Sequence, residues 1–134
     1  MRKVNPKTRQ AIAAMEDELV TKAREIADEL WKVLNEQQRK DGKVRQLRNI
    51  LEVAESTDSW KALELFIRYQ AARKEIPKVW AESAIQELNA LQQEARDIVK
   101  NTKDSAEAVH LELVTRVLGH AVRWHLWDVK HGEG

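Results

Sequence analysis

Two histidine–carboxylate pairs offer the most direct route to chemistry in this chain. Glu107-Ala-Val-His110 is a Glu-x-x-His pair, a spacing that sets both side chains on one helical face and that di-iron bundles use for metal. Asp128-Val-Lys-His131 has the same spacing. A di-iron bundle needs two such pairs and a carboxylate from each of two other helices. Both pairs here fall on one predicted helix and cannot face each other, so no metal and no cofactor is expected. His120 and His125 are five apart and point in different directions on a helix. The histidines read as surface and boundary residues. Glu25 and Glu29 share a helix rich in Lys and Arg, a solvated face rather than a pair tuned by desolvation. There is no glycine-rich phosphate loop and no nucleophile elbow. The expectation is a protein that is not an enzyme, with a small all-α enzyme kept as an alternative.

Basic residues interleaved with aromatics carry more. On the last predicted helix, Glu112, Arg116, Gly119, His120, Arg123 and Trp127 fall on one stripe at 100° per residue, opposite Val114, Val117, Leu118, Ala121 and Trp124. Arginine and tryptophan together suit either phosphates and unstacked bases or a protein partner. Gly119 would let another backbone come close. Arg116, Gly119, His120, Arg123 and Trp127 are therefore the candidate protein interface. In the third predicted helix, Trp60, Leu63, Leu65, Phe66, Ile67 and Tyr69 wrap most of the circumference, which predicts a central position. Lys61, Glu64 and Arg68 form its polar strip. Arg73 projects between Phe66 and Tyr69, either snorkelling or held at a binding surface. Arg45 and Arg48, with Lys43 before them, extend a basic surface from the second helix.

The elements that position these residues are helices. The 134 residues hold four glycines, two prolines and no cysteine, too little punctuation for a turn-rich sheet. Residues 1–134 read as one domain, all-α, a compact bundle of about five helices. The first starts at Asn5-Pro6 and carries an Ile12, Met15, Leu19, Ala23, Ile26, Leu30, Val33 stripe to a stop at Lys40-Asp41-Gly42-Lys43. The second covers about 44–55. The third, capped by Asp58 or Ser59, runs to about Glu75. Pro77 opens a fourth that is interrupted at 101–105. Ser105 or Asp104 caps a fifth through about Val129, and the tail 131–134 should fray. No apolar run is long enough for a membrane span, and Met1-Arg2-Lys3-Val4-Asn5-Pro6 has no signal-peptide character. The absence of cysteine suits a reducing cytosol, so a cytoplasmic location is expected. Formal net charge is +1, from 23 basic and 22 acidic side chains. The basic excess is N-terminal, with 12 basic against 8 acidic residues in 1–50.

Three segments then form a pattern: Lys43-Val-Arg-Gln-Leu-Arg-Asn-Ile-Leu (43–51), Phe66-Ile-Arg-Tyr-Gln-Ala-Ala-Arg (66–73) and Leu113-Val-Thr-Arg-Val-Leu-Gly-His-Ala-Val-Arg-Trp-His (113–125). Together they resemble the small subunit of type III-A CRISPR–Cas effector complexes. The chain departs from that family in its long fourth helix and in lacking an aromatic-rich ending. The resemblance implies a non-catalytic helical subunit of an antiviral-defence ribonucleoprotein, present in several copies and lining the groove for guide and target RNA. Its partners would be those RNAs and other subunits of the effector complex, with self-association an option. Carried over by position, Arg45, Arg48, Arg68 and Arg73 are the residues expected on RNA backbone. Base pairing supplies specificity in such complexes, so the protein need only offer positive charge. The alternative is a helical adaptor or self-associating scaffold without nucleic acid.

Overall fold

Asn5 begins the chain's regular structure by accepting the Thr8 amide at 2.9 Å, with Pro6 in the first turn where no amide is needed. The computed structural model describes residues 4–41 and 44–131. It is all-α, with no strand among the described residues. The order is α1 (Pro6–Ala14), α2 (Glu16–Val33), α3 (Glu36–Asp41), α4 (Val44–Ser56), α5 (Trp60–Ala72), α6 (Lys78–Ala90), α7 (Gln92–Val99) and α8 (Ala106–His131).

The bundle of about five long helices is seen, among the described residues, as eight helical segments, because two of the long helices are interrupted. The first divides twice. Met15 leaves helical geometry at φ −97°, ψ 5°, and its amide bonds to Ile12, three residues back. At the other end Asn35 accepts the Gln38 amide at 2.8 Å while Gln38 accepts the Asn35 amide at 2.9 Å. That reciprocal capping box ends one helix and starts α3. The fourth expected helix hitches at Leu91, whose amide also bonds three residues back. Ser59 caps α5 and Ser105 caps α8, and α8 extends to His131. α5 stops at Ala72, short of Glu75, because the Glu75 amide returns to the Gln70 carbonyl and Lys74 takes φ 64°. This is a helix stop of the Schellman kind with lysine where glycine is usual. Gly42, Lys43 and residues 132–134 lie outside the described residues, so the expected glycine stop does too, and of the expected frayed tail 131–134 only His131 is described, as the last residue of α8.

The central helix is α8, not the expected α5. It packs against α2, α4 and α7 and buries Val109, Leu111, Leu113, Val114, Val117, Leu118, Ala121 and Val122. Truncating one of its buried leucines to alanine costs about 2–5 kcal/mol. α5 sits outside this group on α4 and α6 and leaves Leu65 and Tyr69 exposed at 67% and 52%. Its apolar circumference is therefore only partly core. Two tryptophans tie the layers: Trp80 of α6 donates its indole N–H to the Ile26 carbonyl at 3.0 Å, and Trp124 of α8 donates to Val20 at 3.3 Å. Burying so much ring is favourable only because the polar N–H finds an acceptor. Asp104, between α7 and α8, accepts from the Asn5 amide and the Thr8 hydroxyl and so fastens the start of α1 to the α7–α8 connection.

Candidate nucleic-acid and protein-contact surfaces

α4 and α5 form a helical hairpin across the short turn 57–59. α4 buries Leu47, Ile50 and Ala54, which forces Arg45 and Arg48 onto its exposed side. Neither makes a hydrogen bond or ion pair among the described residues. A polar seam joins the helices at the same end. Gln70, buried in α5, donates to Gln46 at 3.5 Å, and Gln46 donates to Glu75 at 3.4 Å. Arg73 donates to Gln70 at 3.4 Å, and its guanidinium lies 5.3 Å from the centre of the Tyr69 ring. Arg73 is thus exposed beside an aromatic face rather than snorkelling from the core. Arg45, Arg48 and Arg73 share this end of the hairpin.

Arg68 does not join them. It turns to the opposite edge of α5, pairs with Glu64 one turn back at 3.1 Å, and lines a cleft with Lys78 and Glu82 of α6. The four arginines therefore divide three to one, and the fourth is already partly neutralised. An exposed i,i+4 pair of this kind is worth only about 0.3–0.5 kcal/mol, so Arg68 is restrained rather than locked.

The stripe on α8 also divides. Glu16, at the start of α2, accepts from Arg116 at 3.2 Å and from His120 Nε2 at 2.6 Å. Arg123 in turn donates to His120 Nδ1 at 3.1 Å. Arg116 and His120 thus hold α2 against α8 within the chain, so these two of the five candidate interface residues already have an internal partner. Gly119 has no close neighbour: a Cβ built there meets only Arg123 Nη1, at 3.9 Å. Trp127 is 53% exposed and stacks on His131, with ring centres 3.6 Å apart. Arg123, Gly119 and Trp127 are the part of the stripe still open.

Sequence reasoning missed three features. His110 and His125 are buried at 2% and 0% exposure rather than lying at the surface or boundary. His125 meets the edge of Trp31. Burial pushes its pKa down to about 4, against the raising pull of Asp128 and with help from Arg24. Asp128, itself buried, accepts from Arg24 at 2.6 Å, and that guanidinium also pairs with Asp28 and lies over Trp124. Position in the α8 stripe was the available signal, since His125 is one turn beyond Ala121. The second feature is a carboxyl pair between helices. Glu29 of α2 meets Glu87 of α6 and accepts from the Ser83 hydroxyl. Burial first, then Glu29, raises the Glu87 pKa. The sequence paired Glu29 with Glu25, which is exposed.

The third is a cleft of about 500 Å³ lined by Ser59, Trp60, Lys61, Gln92, Arg96, Ala106, Glu107 and His110. Glu107 accepts the Trp60 amide at 3.2 Å, completing the start of α5. His110 Nε2 donates to the Leu88 carbonyl at 2.9 Å, and burial lowers its pKa. The Glu-x-x-His pair thus acts on neighbouring helices. No group of three or more His, Asp or Glu side chains gathers as a metal site among the described residues, and no helix there is long and apolar enough to cross a membrane. Compared with protein-family models, curated proteins and solved structures, the chain matches none.

Proposed function

We propose that the chain is a non-catalytic, RNA-binding small subunit of a type III CRISPR ribonucleoprotein. It contacts guide and target RNA backbone through the Arg45, Arg48 and Arg73 end of the α4–α5 hairpin. The observation that carries this reading is that Arg45 and Arg48 are exposed without ion pairs, at the end where Arg73 lies over an exposed tyrosine. Unpaired guanidinium groups cost least to transfer onto phosphate, and an aromatic face accepts an unstacked base of any sequence. The resemblance of segments 43–51, 66–73 and 113–125 supports the same assignment. Arg68 takes a secondary part, since it must first leave Glu64.

Net charge of +1 sets weak binding by one copy, and several copies along one RNA raise it by avidity. The test is filter binding of the assembled complex at two salt concentrations. Replacing Arg45 and Arg48 together with Ala lowers affinity for all sequences alike. It also flattens the salt slope by about one to two units, from roughly 0.7 per single-strand phosphate contact. Unchanged affinity and slope would leave these arginines as ordinary surface charge.

A second reading, a self-associating scaffold without nucleic acid, is favoured by the exposed Leu65, Tyr69, Val79 and Trp127. Sedimentation of the RNA-free protein separates the two: concentration-dependent assembly that Trp127→Ala abolishes supports the scaffold.

A further inference from the structure

The cleft between the N-termini of α5 and α8 lies at the other end of α5 from Arg73, and nothing in the RNA reading uses it. Its floor is two side chains more than nine-tenths buried, Trp60 and His110, in edge-to-face contact with ring centres 4.9 Å apart. Each ring carries a polar atom without a partner among the described residues. Trp60 Nε1 has no acceptor, and His110, which spends Nε2 on the Leu88 carbonyl, keeps a lone pair on Nδ1. Neither atom is among the side-chain nitrogens sealed from solvent without a partner. The two rings thus bring one unpartnered donor and one unpartnered acceptor to the lining of the cleft.

Its rim is cationic. Lys61 has no ion pair among the described residues, and Arg96 binds only the neutral Gln93 amide. The single acidic lining group, Glu107, is held by the Trp60 amide. Two helix starts, at Trp60 and Ala106, open on the same space and add partial positive charge.

We propose that this cleft binds a nucleoside monophosphate, with the phosphate on Lys61 and Arg96 and the base edge on Trp60 Nε1 and His110 Nδ1. The volume suits a small ligand, for which about 300–1,000 Å³ is usual. Every nucleobase has an edge with an adjacent donor and acceptor to match the pair in the floor. Two unpaired cations fit a phosphomonoester dianion better than a single carboxylate, which sets a nucleotide ahead of a peptide C-terminus. The same chemistry is present in a free nucleotide and in the 5′-terminal nucleotide of an RNA.

Calorimetric titration of the full chain tests this with uridine monophosphate, uridine, ribose 5-phosphate and the dipeptide Ala-Ala. Uridine monophosphate should bind at least tenfold tighter than each of the others, because each of those leaves one polar set of the cleft unmatched. Lys61→Ala with Arg96→Ala, both at exposed positions, should bring uridine monophosphate to the level of uridine. Trp60→Phe should weaken uridine monophosphate severalfold while sparing ribose 5-phosphate, with helicity checked by circular dichroism. A 5′-phosphorylated dinucleotide that outcompetes the mononucleotide assigns the site to an RNA end, and one that fails to compete assigns it to free nucleotide. Equal binding of ribose 5-phosphate, tighter binding of the dipeptide, no uridine monophosphate binding, or an unaffected double variant would each overturn the proposal.

Discussion

Acidification from pH 7 to 5 should cost the fold stability through His125. The imidazole is fully buried, and the groups that face it are Arg24 and Asp128 with the Trp31 ring. Its pKa is pushed down to about 4 from 6.5, so between those values the unfolded chain binds a proton that the folded chain refuses. The stability that depends on a neutral ring is present above pH 6.5 and is lost as pH falls toward 4. Each pH unit of that separation is worth about 1.4 kcal/mol, which gives about 2 kcal/mol lost by pH 5, a large share of a typical 5–15 kcal/mol total. His110, depressed by burial, adds a loss of the same sign. Urea unfolding at pH 7, 6 and 5 measures the sum, and His125→Phe isolates one contributor. The variant starts less stable, because a larger ring must fit a packed site, but its stability should fall by about 2 kcal/mol less between pH 7 and 5. If wild type and variant lose the same amount over that interval, His125 titrates near its ordinary value and the burial argument fails.

Gly119→Ala should stabilise the monomer by about 0.5–1 kcal/mol, because glycine is a poor helix residue and the new methyl meets only Arg123 at 3.9 Å. If it also weakens assembly, measured by sedimentation, then a close approach of another chain is the reason for the glycine. Lys74→Gly should raise the unfolding midpoint by relieving the φ of 64°, a gain of about 0.5–1 kcal/mol. No change in the midpoint would mean that the turn after α5 is not strained.

Much of the fold can be read from caps and periods. Asn5, Ser59 and Ser105 each mark a helix start by the side-chain oxygen they contribute. The Asn35/Gln38 capping box is equally visible, but with no glycine or proline between Val33 and Gly42 the helix reads on past the end of its apolar stripe. Met15 and Leu91 are different. Neither is a proline or glycine, and both line one cleft with Leu19 and Ala90. The two hitches border the same cleft, and no local signal in the sequence marks either. The centre of the bundle was misread for a related reason. α5 is apolar almost all round, whereas α8 carries Glu112, Arg116, His120 and Arg123. Periodicity cannot say that Glu16 waits on a neighbouring helix to accept from two of those side chains.

That distinction between occupied and available charge also limits the function. The α2–α8 seam is fastened near one end by Glu16 with Arg116 and His120, and toward the other by Arg24 with Asp128. Removing one member of the partly buried Arg24–Asp128 pair leaves the other desolvated, which costs more than the pair itself contributes. These residues therefore cannot be lent to a ligand without loosening the central helix. At the start of α4 there is no such constraint. The exposed Arg45 and Arg48 answer to no carboxylate among the described residues, and the polar seam between α4 and α5 runs through the amides of Gln46 and Gln70 to Glu75 without using either arginine. Cations that the fold does not consume are the ones a polyanion can recruit at little cost, and among the described residues Arg45 and Arg48 are two of them, side by side on the exposed face of α4.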